Sequence, residues 1–246
     1  VETRESAISK ELLLGVKDFL DNEIKQAYAA AGAMHVLAVS GLHVGIIYLI
    51  LLTAFGKLKE KGSTWRLVFG VICVVTIWFY AIITGLSPSV MRAATMFSVI
   101  AIGEAFSREG NIYNSLGIAA FILLIYDPYL IYSVGFQLSF AAVIGIVYLQ
   151  PKLFSLLRSR FWLLDKIWAI TCVSIAAQLA TFPLSAYYFH QFPTYFLASN
   201  LVVIPAAFII LIIGISMLVI NPIIEVLGQL LGRILYHTIW CLNEII

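Results

Sequence analysis

The stretch MHVLAVSGLHVG, Met34–Gly45, places two histidines, a serine and two glycines at the head of a long apolar run. Imidazole and hydroxyl groups exchange hydrogen bonds, line wet paths, or pair as base and nucleophile. On an ideal helix begun at His35, turning about 100° per residue, His43 falls roughly 80° round and Ser40 roughly 140°. All three then share one half of the helix surface. Gly41 and Gly45, four apart, allow a neighbouring backbone to approach closely. Two uses fit: a polar lining beside a tight helix contact, or hydrogen bonds spent inside the core, with His35 anchored at the headgroups.

Other polar groups recur inside apolar stretches, where such side chains are costly and usually face a bundle interior or a water-filled cavity. In GLSPSVMRA, Gly85–Ala93, Pro88 suits a first helical turn and Ser87 can cap it. Arg92 follows one turn later. It either snorkels to the interface or lends a fixed cation to the mouth of an anion path. DPYLIYSVGFQLSFAAVIGI, Asp127–Ile146, carries Gln137 near one face with Phe140 and Phe136, and Ser139 on another, with Gly135 as a helix-packing position. Gln178, Thr181 and Pro183 form a further cluster, and Asn200 precedes Pro205, which removes a backbone donor and should bend its span. Glu104 reads as interfacial. Cys73, Cys172 and Cys241 have no CxxC spacing, so no metal site and no cofactor are expected.

The surroundings of these groups set the class. Of 246 residues 62% are hydrophobic and 11% charged, with mean hydropathy +1.00. A soluble surface needs about 25% charged residues, so the fold class is all-α, a polytopic transmembrane helical bundle. Residues 1–34 form an amphipathic interfacial helix and linker, and 35–246 the transmembrane domain. Eight spans are expected, at 36–56, 66–84, 90–106, 112–126, 131–149, 166–183, 196–220 and 223–246. Connections after odd spans hold Lys57, Lys59, Lys61 and Arg66, then Arg108, then Lys152, Arg158, Arg160 and Lys166. Connections 85–89, 127–130 and 184–195 hold no Lys or Arg. The positive-inside rule then puts the odd-to-even loops in the cytoplasm and both ends outside. Both ends read as cut from a longer protein. The net charge of +2 is too small to argue for nucleic acid alone.

The order and spacing of MHVLAVSGLHVG, GLSPSVMRAATM, DPYLIYSVGFQLSFAAVIGI and the Gln178–Pro183 and Asn200–Pro205 elements resemble the ComEC competence proteins. These are the inner-membrane DNA channels of naturally transformable bacteria. The likeness covers residues 7 to 220. It implies passage of one DNA strand into the cytoplasm of a bacterium, through its cytoplasmic (inner) membrane. It also implies an outer DNA-receptor protein and a cytoplasmic ATP-driven helicase or translocase as partners. Family members commonly add an OB-like domain before this region and a metallo-β-lactamase-like domain after it. The histidines His35, His43, His190 and His237 contain no HxHxDH cluster, so nuclease chemistry is not expected of this chain.

A strand path needs sparse cations, polar groups and sequence-tolerant aromatic stacking, without a phosphate trap. His35, Ser40, His43, Arg92, Gln137, Phe140, Gln178 and Asn200 are the candidates, with Gly41, Gly45, Pro88, Gly135 and Pro205 shaping the helices. The expected function is a conduit for single-stranded DNA, without catalysis of its own. Two other classes compete. One is an intramembrane serine hydrolase using Ser40 with His190 or His237, although GxSxG is absent. The other is a small-solute secondary transporter with broken helices, although no paired break and no acid for ion coupling are evident.

Overall fold

The computed structural model describes residues 40–106, 111–157, 161–190 and 195–245. The amphipathic segment, His35, Arg108, Arg158 and Arg160 lie outside them. The described chain is helical, without a strand. In order come α1 Gly41–Phe55, α2 Ser63–Ile83, α3 Pro88–Ala105, α4 Ile112–Tyr126, α5 Val134–Phe154, α6 Trp162–Phe189, α7 Phe196–Ile220 and α8 Glu225–Ile245. Short 3-10 turns, Gly56–Lys61 and Pro128–Tyr132, follow α1 and precede α5.

The chain divides into two compact units. One holds Ser40–Val147 and Ala180–Phe189; the other holds Tyr148–Leu179 and His190–Ile246.

In the first unit α3 is the inner helix, packed against α1, α2 and α4. Its buried positions are Val90, Arg92, Ala93, Ala94, Thr95, Ser98, Ala101 and Ala105. A helix enclosed by three others needs small side chains so that backbones can close, and has little lipid to satisfy with bulk. Glycines complete the crossings. A Cβ on Gly41 would lie 3.3 Å from Ala93 Cβ, and one on Gly45 3.3 Å from Phe97 Cζ. One on Gly70 of α2 would lie 3.1 Å from Ala105 Cβ and 3.3 Å from the Ala101 carbonyl oxygen. Trp78 Nε1 donates to Ser98 Oγ at 3.1 Å, and the Tyr48 and Phe97 rings sit 5.2 Å apart.

The outer helices show the opposite pattern. On α2, Phe69, Cys73, Ile77 and Ala81 are buried, while Val71, Val75, Phe79 and Ile82 are exposed. Both stripes repeat at three- and four-residue steps, one toward protein and one available to lipid. In the second unit α7 and α8 pack together, with Leu235, Ile239 and Leu242 of α8 buried.

Among the described residues, five helical segments are long and apolar enough to cross a membrane: Gly41–Lys61, Ser63–Ile83, Val134–Phe154, Trp162–Phe189 and Phe196–Met217. The chain is a helical membrane protein. Where eight spans are expected, α4 is apolar but has 15 residues, and α3 and α8 fall outside the apolar set. For α3 the reason is its enclosure. Pro205 lies inside α7 and Pro183 inside α6 without ending either helix, because each removes a single donor and the remaining ladder holds. α6 therefore runs on to Phe189, through what reads as a loop in the sequence.

The α2–α3 crossing supplies a stability test. Gly70→Leu should destabilise the protein by about 1–3 kcal/mol through overpacking. Gly117→Ala, where nothing lies within 4 Å of the added Cβ, should be neutral or stabilising. Thermal unfolding in detergent reads both, and an unchanged midpoint for Gly70→Leu contradicts the packing.

Candidate functional site

Ser40 is not helical. Its backbone, φ −118 and ψ 171, makes it the N-cap of α1. Its Oγ accepts from the Leu42 N–H at 3.3 Å, and its own N–H donates to His43 Nδ1 at 3.2 Å. Ser40 Oγ also lies 3.1 Å from Nδ1. This is a capping box with histidine in place of the usual Glu or Gln. The shared helical face for Ser40 and His43 is thereby corrected: an extended residue at 40 breaks the 100° progression. His43 is buried, at 1% exposure, and its Nδ1 lone pair is committed to the helix start. A serine–imidazole contact at this distance has the form of a nucleophile and base, but the ring's acceptor is shared with a backbone donor. His190 and His237 are exposed and belong to the other unit.

The start of α3 follows the GLSP signal. Gly85 takes φ +78 and Leu86 φ +52, with their N–H groups donating to the carbonyls of Ile82 and Ala81. Glycine suits this reversal because a Cβ penalises the left-handed region. Pro88 occupies the first turn. Ser87 holds the N-cap position, but its hydroxyl lies 3.3 Å from Ser89 Oγ and caps no backbone N–H.

Arg92 does not snorkel. It is 7% exposed, and its Nε and Nη1 have no hydrogen-bond partner among the described residues. A cation buried without its partners costs several kcal/mol. Its Nη1 points toward the first turn of α5, where a Cβ on Gly135 would stand 3.7 Å from Nη1 and 3.8 Å from Ser133 Oγ. Gly135 itself is exposed. Ser133 is the residue the sequence reading missed. It precedes α5, and its Oγ accepts from the Phe136 N–H at 3.4 Å. A serine directly before a helical run is the signal that could have found it.

Gln137 is engaged locally. Its Nε2 donates to the Ile131 carbonyl at 2.8 Å and ties the 3-10 turn to α5. Phe136, buried, and Phe140, half-buried, stack at 4.4 Å between centroids. Gln178 is half-buried on α6 and Asn200 buried on α7, both in the second unit. Asn200 Oδ1 has no hydrogen-bond partner among the described residues. At the far end of α3, Glu104 accepts from Lys59 Nζ at 2.7 Å, joining the basic turn after α1 to the end of the inner helix. Within the first unit, then, the structure brings Arg92 to Gly135 and Ser133, and Ser40 to His43. No group of three His, Cys, Asp or Glu gathers among the described residues.

A family model described as Competence protein matches residues 12–246. ComE operon protein 3 of Bacillus subtilis is 30% identical over 203 residues, covering 81% of this chain and 24% of that protein. Competence protein ComA of Neisseria gonorrhoeae is 26% identical over 150 residues, covering 57% of the chain and 21% of its own length. An uncharacterised protein of Aquifex aeolicus is 32% identical over 146 residues, covering 57% and 32%. The chain thus spans a third or less of the length of these relatives. No solved structure matches it. The chain belongs to the competence-protein family.

The capping role of Ser40 is open to test. Ser40→Ala should cost about 0.5–2 kcal/mol in stability, as loss of a cap does, and a serine-directed phosphonate should leave Ser40 of the wild type unmodified. Covalent labelling at Ser40 would establish a nucleophile instead.

Proposed function

We propose that this member of the competence-protein family forms a membrane conduit through which single-stranded DNA enters the bacterial cytoplasm. Family membership supports a part in DNA uptake, and one feature of the geometry supports this use. Arg92 is a buried cation whose Nε and Nη1 find no partner among the described residues, in a chain with few charges. Such a group is retained where a mobile anion supplies the missing contacts.

The layout agrees with an oriented path. Lys57, Lys59 and Lys61 cluster at the turn between α1 and α2, and Lys59 pairs with Glu104 at the end of α3. Under the positive-inside rule this end is cytoplasmic. Arg92, in the second turn of α3, then lies toward the outer face, where a strand would enter. The membrane is the cytoplasmic (inner) one, and both ends of the chain face outward. The chain is a passive conduit with no catalysis of its own. Pulling falls to a cytoplasmic ATP-driven helicase or translocase, delivery to an outer receptor, and strand processing to OB-like and metallo-β-lactamase-like domains of the longer protein.

Arg92→Glu should lower uptake of labelled DNA into the cytoplasm of a transformable host by roughly tenfold or more, since a charge-assisted contact becomes a repulsion. Membrane insertion and protein level should be unchanged, and Arg92→Lys should retain part of the uptake. Wild-type uptake in the Arg92→Glu strain contradicts the proposal.

A further inference from the structure

We infer that Arg92 and the first turn of α5 form a seat for one phosphodiester group of the entering strand, with Gly135 as the residue that keeps the seat open. The inference rests on the conduit reading and assigns to it a specific ligand contact.

Three observations meet at this point. The first turn of an α-helix leaves its leading N–H groups without intrahelical acceptors. In α5 Ser133 Oγ takes the Phe136 N–H and the Ser133 carbonyl takes the Gln137 N–H. The N–H groups of Val134 and Gly135 are left facing out of the helix end, where the helix dipole favours an anion. The second observation is Arg92. Its side chain is more than nine-tenths buried, with Nε and Nη1 unpartnered among the described residues, and Nη1 approaches this same turn. The third is the residue at 135. A Cβ there would lie 3.7 Å from Nη1, in the space an oxygen would need to bridge the guanidinium and the helix N–H groups. Gly135 is exposed, so the space is open from one side.

A guanidinium donor, Nη1, opposite backbone N–H groups suits an oxyanion. With one cation in reach, the match is to a monoanion, which is the charge of a phosphodiester. A lipid headgroup carries the same group, but a headgroup arginine extends to the rim, whereas Arg92 is drawn inward to 7% exposure. A flexible strand can thread its phosphates to such a place in turn. One seat holds one phosphate, so attraction stays modest and the strand can move on.

The test uses the chain in phosphatidylcholine nanodiscs with a fluorescent oligothymidylate as probe. Gly135→Ala places a methyl in the seat while favouring the helix, so lost binding there cannot be assigned to unfolding. Arg92→Gln removes the cation. Each should weaken binding roughly tenfold or more, and Arg92→Gln should shrink the slope of log affinity against log salt by about 0.7, the share of one single-strand phosphate. An oligomer with uncharged methylphosphonate linkages should not distinguish the variants from the wild type. Binding that ignores both substitutions, or an unchanged salt slope, overturns the seat but not the conduit, whose own test is uptake in cells. If phosphatidylglycerol in the disc abolishes the Arg92-dependent part of binding, the occupant is a lipid headgroup and the assignment to a strand is overturned.

Discussion

Close approach of helix backbones around α3 is the constraint from which the rest of the first unit follows. In a bilayer, apolar surface gains little by leaving lipid for protein, so association relies on packing and on hydrogen bonds between helices. Glycine meets alanine or the edge of a ring at the crossings of α3 with α1 and α2, through Gly41, Gly45 and Gly70. Trp78 and Ser98 add a polar tie. With α3 held on several sides, a residue such as Arg92 can be kept away from lipid and from the aqueous rim alike. Were α3 a peripheral helix, the same arginine would reach the headgroups and its contacts there would be unremarkable.

That enclosure also explains why polar residues gather where they do. Ser40 and His43 close the start of α1, Ser133 closes the start of α5, and Gln137 fastens the turn before it. Each satisfies backbone groups that hydrocarbon would leave unpaired at high cost. Arg92 differs from these, since the local bonds leave its Nε and Nη1 unused, and among the described residues it is the cation with such buried unpartnered atoms. These unused donors are the fixed groups to which the proposed conduit assigns an anion.

Much of the fold is legible in the sequence. The eight described helices fall within a few residues of the apolar periods, because long apolar runs separated by short polar connections mark them, and on α2 buried and exposed stripes alternate at helical steps. The i, i+4 glycines of α1 announce a close crossing, and Gly-Leu-Ser-Pro announces the start of α3. Other features depend on bonds that residue types do not reveal. A capping box normally shows Glu or Gln at its third position. With His43 there, the motif looks like the interior of a span and invites a polar lining. Pro183 looks like the end of its span, yet a long helix tolerates one missing donor and continues to Phe189. Gln137 looks like an amide available to another helix, while its target is the carbonyl six residues before it. The burial of Arg92 is a tertiary fact: it goes with the helices packed around α3, which no local pattern encodes.

The central claim is that an anion entering the membrane meets Arg92 at the first turn of α5. It is tested most directly by thiol modification of Gly135→Cys in a background lacking Cys73, Cys172 and Cys241. An anionic methanethiosulfonate should react faster than a cationic one, Arg92→Glu should reverse that order, and a strand arrested during uptake should block both. Equal rates for the two reagents, or reactivity indifferent to Arg92 and to the arrested strand, would contradict the account.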